Sequence, residues 1–139
     1  MGRLIGLDVG AQRTGVAVTD ELHIACSPHA TVATTDLIED IRVLHQASPF
    51  DAIVMGRPNL IVGGSTDSTP HIEDVEKRLR KAFPHLPIHF VDEGFTSQEA
   101  SAIQRQGGMK KSQRRAKGSL DAVAAILILQ RHLDAQRYL

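Results

Sequence analysis

The run RLIGLDV, from Arg3 to Val9, is aliphatic on both of the faces that a strand would alternate between. A strand of that kind is stable only in the interior of a sheet that is covered on both sides, which points to an α/β architecture from the first ten residues. Asp8 breaks the run. Aspartate is disfavoured in strands, and an unpaired buried carboxylate costs several kcal/mol. Some compensating charge or ligand is therefore expected beside it.

The remaining elements follow from periodicity and punctuation. Thr14 to Thr19 resumes the apolar pattern after a short polar turn and forms a hairpin with the first strand. A third short strand is expected between Leu22 and Val32, with Pro28 marking an edge or a bend. Asp36 is placed to cap a helix carrying Leu37, Ile41 and Leu44 at helical spacing, and Pro49 ends it before a strand from Ala52 to Met55. Gly56 to Asp67, rich in Gly, Ser and Asn, reads as a loop. Pro70 suits the first turn of a helix whose apolar face is Ile72, Val75, Leu79 and Phe83. A strand from Ile88 to Val91 ends at Asp92 and Glu93, and Thr96 opens a helix that stops at Gly107-Gly108. Ser119 caps a last helix running to about Gln136, whose stretch AVAAILIL is apolar nearly all round and should be buried against the sheet. The order β-β-β-α-β-α-β-α-α predicts one five-stranded mixed sheet, three strands antiparallel and the later ones parallel, with helices on both faces.

At 139 residues the chain is expected to form a single domain, residues 1–139. Its longest apolar run, Ala122 to Leu129, is far short of the ~18 residues of a membrane span, and neither end carries a basic-then-apolar signal segment, so no membrane partner and a cytoplasmic location are expected. The formal charge of zero hides an uneven distribution. Ala100 to Leu120 contains no acid but has Arg105, Lys110, Lys111, Arg114, Arg115 and Lys117, leaving ten basic against sixteen acidic residues elsewhere. An acidic body with one basic stripe can attract a polyanion locally and hold divalent cations elsewhere.

Several chemistries lack support. Cys26 is the only cysteine and reads as a small buried hydrophobe. The seven histidines show no zinc-ligand spacing, and His85 and His89 read as surface groups. No G-x-S-x-G turn is present. Four Phe, one Tyr and no Trp speak against a broad base-stacking platform, so phosphate contacts should supply most of any nucleic-acid binding.

Three acids share a location. Asp8 lies near the end of the first strand, Glu93 just past the last, and Asp121 in the first turn of the buried helix, each where the chain passes from apolar core to solvent. Alone, Asp121 could simply favour the positive end of its helix and Glu93 could be an ordinary strand-end residue. Around Asp8, a divalent cation would supply the missing charge; Mg²⁺ or Mn²⁺ typically binds through one or two carboxylates, water and substrate phosphate.

The pattern Asp8-x-Gly10-x-x-Arg13-x-Gly15-Val16-Ala17-Val18, then Gly56-x-Pro58, then Asp92-Glu93 with Thr96 and Ala100, then Lys117-Gly118-x-x-Asp121-x-x-Ala124-Ala125, resembles the YqgF family, also called RuvX, across essentially the whole chain. The resemblance implies an RNase H-like fold, with the last strand two positions from the first, and a nuclease linked to maturation of the small-subunit ribosomal RNA precursor. It implies that Asp8, Glu93 and Asp121 are the catalytic acids and metal ligands, holding one or two Mg²⁺ or Mn²⁺ ions. Where family members usually have Asp-Glu-Arg this chain has Asp92-Glu93-Gly94, and Ser119 stands where a basic residue is common. Both changes remove positive charge near the phosphate path, for which Arg13, Arg57 and the stripe of Lys110, Lys111, Arg114, Arg115 and Lys117 can substitute.

The expected function is metal-dependent phosphodiester hydrolysis in pre-16S rRNA processing, with RNA favoured over branched DNA, association with ribosomal precursor particles, and a monomeric or homodimeric state. Alternatives are a Holliday junction resolvase, which would need a symmetric dimer, and an inactive RNA-binding module. A sugar-kinase-type phosphotransferase shares the Asp8-x-Gly10 hairpin but needs two such domains.

Overall fold

The computed structural model of the chain describes residues 2–57, 69–92 and 119–137. At its centre is β1 (Arg3–Val9), paired antiparallel with β2 (Arg13–Thr19) and parallel with β4 (Phe50–Arg57). β3 (Cys26–Ala33) adds antiparallel to β2, and β5 (Ile88–Asp92) adds parallel to β4, giving the order β3-β2-β1-β4-β5. The mixed sheet is the one expected, and β5 lies two positions from β1, about 10 Å away at ~4.8 Å per strand.

Alternation along β1 divides the protein into two cores. Ile5, Leu7 and Val9 pack on one face with Leu37 and Ile41 of α1 (Leu37–Ala47) and with Ile72, Val75 and Leu79 of α2 (Thr69–Ala82). Leu4 belongs to the other face, with Ala125, Ile126, Ile128, Leu129 and Leu133 of α3 (Ser119–Arg137). Gly6 lies on that second face. A Cβ there would stand 2.5 Å from Leu129 Cγ and 2.9 Å from the Ala125 carbonyl oxygen, so the helix rests directly on the strand backbone.

α3 runs antiparallel to β1. Ala125 and Leu129 lie over Gly6, while the charge of Asp134 reaches the Cys26 thiol at the other end. Cys26 pairs with Thr19, whose Oγ1 accepts the buried Leu4 amide at 2.8 Å, so the end of α3 lies toward the start of β1. Burial, helped by Asp20 and Asp134, pushes the thiol up to about 11, consistent with an inert small residue.

Local departures from the expected pattern have physical causes. Asp36 precedes α1 but makes no side-chain cap bond, because its backbone (φ −98°, ψ −2°) is already helical rather than extended. The 3₁₀ turn Thr34–Asp36 leads into the helix instead, with the Leu37 amide donating to the Thr34 carbonyl. β4 is longer than Ala52 to Met55, because Gly56 and Arg57 pair with Val91 and Asp92 of β5 and a parallel ladder accepts them despite their loop-like composition. Pro28 sits on the edge strand at a register slip where Val16 faces Ala30 and Ala17 faces Pro28, so it is both at an edge and at a bulge. The expected helix from Thr96 to Gly107 lies outside the described residues.

Replacing Gly6 with alanine should force α3 off β1 and cost about 1–3 kcal/mol, as overpacking does; a urea melt of Gly6→Ala measures it. His132, buried on α3, has its pKa held below the usual imidazole value by burial, then by the charges of His89 and His23. A depressed folded-state pKa means the unfolded chain takes up protons first. Stability is complete above the unfolded value and declines as pH falls through the folded one. Denaturation midpoints measured from pH 7.5 to 5 should fall, and His132→Phe should flatten that decline.

Candidate functional site

Asp8 is half-buried at the penultimate position of β1 and continues the column Leu4, Gly6, Asp8 on the α3 face. Its cross-strand partner on β2 is Gly15. On the other side, continuing the register Leu7↔Met55 by one residue brings Gly56 of β4 beside it. Both flanking positions therefore lack a side chain, and the carboxylate is the one side chain at its level on the three central strands.

The turn that follows Asp8 is tightly held. The Gly10 amide donates to the Arg13 carbonyl at 3.0 Å, and a Cβ on Gly10 would lie 2.6 Å from that oxygen. Thr34 Oγ1 donates to the Gly10 carbonyl at 2.8 Å and lies 3.0 Å from Oγ1 of the fully buried Thr14, while the Thr34 amide donates to the Gln12 carbonyl. The strand end carrying Asp8 is thus stitched to the start of α1.

Asp121 lies in the first turn of α3, one turn before Ala125. Since α3 is antiparallel to β1, moving four residues back from Ala125 (about 6 Å) and two residues on from Gly6 (about 6.6 Å) leads in the same direction. The backbones of Asp8 and Asp121 accordingly belong to the same end of the helix–sheet layer. Glu93 follows Asp92, the last residue of β5, and lies outside the described residues, as do Lys110, Lys111, Arg114, Arg115 and Lys117. Among the described residues no group of three His, Cys, Asp or Glu side chains is gathered as a metal site.

Of the two remaining arginines, Arg13 is exposed at the start of β2, next to the Gly10 turn. Arg57 is at the same end of the sheet but, by alternation from Met55, on the α1/α2 face. Its guanidinium stacks 4.7 Å from the Phe90 ring centroid and lies 4.0 Å from Glu76 Oε1, and its buried Nε has no hydrogen-bond partner among the described residues. Arg57 is therefore engaged inside the fold, on the opposite face from Asp8. A cavity of about 530 Å³ lined by His45, Phe50, Asp51, Phe83 and His85 lies at the other end of β4 and includes none of these residues.

One contact escaped sequence reasoning. Arg131 Nη1 of α3 donates to the Asp92 carbonyl at 2.7 Å. The only trace in the sequence is a cation two residues after the apolar stretch of the helix, which looks like any polar helix position.

The RuvX family model, described as Holliday junction resolvase, matches residues 2–135. A protein of Phocaeicola vulgatus named as a candidate pre-16S rRNA nuclease is 36% identical over 139 residues, covering 100% of both chains. One of Porphyromonas gingivalis with the same name is 38% identical over 134 residues, covering 96% of this chain and 97% of its own. Among solved structures, Thermus thermophilus RuvC in complex with Holliday junction substrate aligns with a TM-score of 0.61 at 12% identity, over 99% of this chain and 96% of that one. Fowlpox virus resolvase in complex with junction DNA gives 0.63 at 10% identity, over 96% and 98%. At those identities the structures speak for the fold, the RNase H-like sheet expected from the motifs. The family match along nearly the whole chain, together with relatives aligned from end to end, makes this protein a member of the RuvX family of nucleases.

Proposed function

We propose that this protein hydrolyses phosphodiester bonds in pre-16S rRNA, using a divalent metal held by Asp8, Glu93 and Asp121. The observation that carries the reading is the place of Asp8: a half-buried carboxylate on a central strand, flanked by Gly15 and Gly56, at the end of the sheet where α3 begins and β5 delivers the chain to Glu93. Hard carboxylate oxygens from three separate elements suit Mg²⁺ or Mn²⁺ and do not suit a soft metal. When bound, the metal supplies activation of water and charge neutralisation at the scissile phosphate.

The chain's own residues do the rest. Gly15 and Gly56 put no side chain beside Asp8 that could block a phosphate, and the Thr34 contacts keep the Gly10 turn in one conformation. Amides in the first turn of α3, with Lys117 just before it, can support the phosphate from the other side. Arg13 and the basic stripe carry flanking phosphates. Water attacks in line with the departing sugar oxygen, leaving 5′-phosphate and 3′-hydroxyl ends and needing no 2′-hydroxyl. RNA is preferred as substrate because the relatives at 36 and 38% identity carry the rRNA name, whereas the junction-bound neighbours are 12 and 10% identical.

The test is incubation with end-labelled single-stranded pre-16S RNA, duplex RNA and four-way DNA junctions, in Mg²⁺ or Mn²⁺ and with chelator. RNA should be cut in metal alone, and Asp8→Asn should lower turnover by roughly a hundredfold or more, about 2.7 kcal/mol of barrier, while retaining RNA binding. Wild-type turnover in Asp8→Asn would sink the assignment, and preferential cutting of the junction would move the substrate to branched DNA. For the basic stripe, alanine at Lys110, Lys111, Arg114 and Arg115 should weaken binding and flatten the dependence of log K on log salt by about 0.7 per lost contact to single-stranded RNA. Filter binding across a salt series reads the slope; an unchanged one removes the stripe from the interface.

A further inference from the structure

The turn that joins β1 to β2 is closed by a residue outside it. Thr34 Oγ1 donates to the Gly10 carbonyl at 2.8 Å and the Thr34 amide donates to the Gln12 carbonyl at 2.9 Å, so one residue holds the chain on both sides of Ala11. A hydroxyl has one hydrogen to give. With that hydrogen on the Gly10 carbonyl, the 3.0 Å contact between Thr34 Oγ1 and Oγ1 of the buried Thr14 runs the other way, with Thr14 donating. The result is a directed chain, from the Thr14 hydroxyl to the Thr34 hydroxyl to the Gly10 carbonyl, whose members polarise one another. Its anchor is firm: the Thr34 carbonyl accepts the Leu37 amide, and Leu37 and Ile41 of α1 are in the core.

The hold falls where β1 has least support of its own. The parallel ladder with β4 runs to Leu7↔Met55 and the antiparallel ladder with β2 to Val9↔Thr14, so Asp8 stands one residue past the last pair on one side and one residue short of it on the other. Ends of paired segments open first when nothing beyond them is fixed. Gly10 lies just beyond this one and has to be glycine, because a Cβ would stand 2.6 Å from the Arg13 carbonyl oxygen. The same lack of a Cβ leaves its backbone free to rotate. Its amide is held by the Arg13 carbonyl, but its carbonyl belongs to the next peptide plane, and the Thr34 hydroxyl holds that one.

We infer that Thr34 is a positioning residue for the reaction: its hydroxyl, anchored through α1 and Thr14, fixes the Gly10 carbonyl and thereby the place at which β1 presents the Asp8 carboxylate. The inference rests on the proposed reading of Asp8 as a metal-binding group. Thr34 acts through the backbone of Gly10, two residues from Asp8.

The full chain is tested as Thr34→Val, which keeps the shape of the side chain but removes the hydroxyl, as Thr34→Ser, which keeps the hydroxyl, and as Asp8→Asn. Four quantities are read: exchange of the Gly10 amide in metal-free protein by NMR, Mn²⁺ binding by titration calorimetry, kcat and KM on labelled RNA, and the thermal midpoint. In Thr34→Val the Gly10 amide should exchange faster and Mn²⁺ should bind about tenfold more weakly, the usual effect of losing a group that orients a metal ligand. Its kcat should fall while KM for RNA is unchanged, and Thr34→Ser should recover most of these losses. Wild-type Mn²⁺ affinity and kcat in Thr34→Val, with Asp8→Asn impaired, would overturn the inference and leave the metal reading intact; so would a raised KM at wild-type kcat, which would make Thr34 a contact to RNA. If Thr34→Val melts much lower, Thr34→Ser decides: near wild-type kcat and Mn²⁺ affinity in it support the hydroxyl's role, and losses no smaller than those of Thr34→Val overturn it. Wild-type Mn²⁺ binding and cleavage in Asp8→Asn would instead overturn the metal reading, and the inference with it.

Discussion

The absence of a side chain at Gly6 lets α3 lie directly on the backbone of β1, and the arrangement of the site depends on that contact. A Cβ at 2.5 Å from Leu129 Cγ would lift the helix from the strand. With the helix seated, Ala125 marks one turn and Asp121 the next, in step with Gly6 and Asp8 on the strand below. The same seating brings Arg131 and His132 onto β5. A helix apolar nearly all round contributes two things at once: a core for one face of the sheet and a rigid mount for the groups at its ends.

The two faces of the sheet have different duties. On one, Ile5, Leu7 and Val9 pack against α1 and α2 in a continuous apolar cluster, and even Arg57, at the same end of the sheet as Asp8, is taken up by Phe90 and Glu76. On the other, the apolar column gives way through Gly6 to Asp8, between glycines of the neighbouring strands. A carboxylate on the first face would be surrounded by aliphatic side chains with no compensation. On the second it stands, half-buried, toward the end of the sheet where α3 begins.

The far end of the sheet is built for closure. Asp20 Oδ1 accepts from the amides of Ile24 and Ala25 at 2.7 and 3.2 Å, and these bonds, the one from Ile24 first, hold its carboxyl below the usual range. His23, at the left-handed φ of 57°, places its Nε2 2.7 Å from the Gly2 carbonyl. The β2–β3 hairpin is thereby tied back to the start of β1, and the sheet is fastened at the end away from Asp8.

Most of the fold was legible in the sequence, because elements are set by local periodicity and punctuation. The apolar alternation of Arg3–Val9, the helical spacing of Ile72, Val75 and Leu79, and the apolar stretch of α3 each announce their element and its burial. The departures have two sources: the cap at Asp36 depends on a backbone angle that residue type does not dictate, and the length of β4 depends on a partner strand more than thirty residues away. Of the candidate site, the sequence by itself determined that Asp8 is out of place in a core strand and that the acids stand at element ends. Only the tertiary structure decided that Asp8 faces α3 between two glycines, that Arg57 faces the opposite side, and that Arg131 reaches the end of β5. Those outcomes depend on which strands neighbour one another and which way a helix crosses them, and such long-range relations leave no mark in the spacing of residues along the chain.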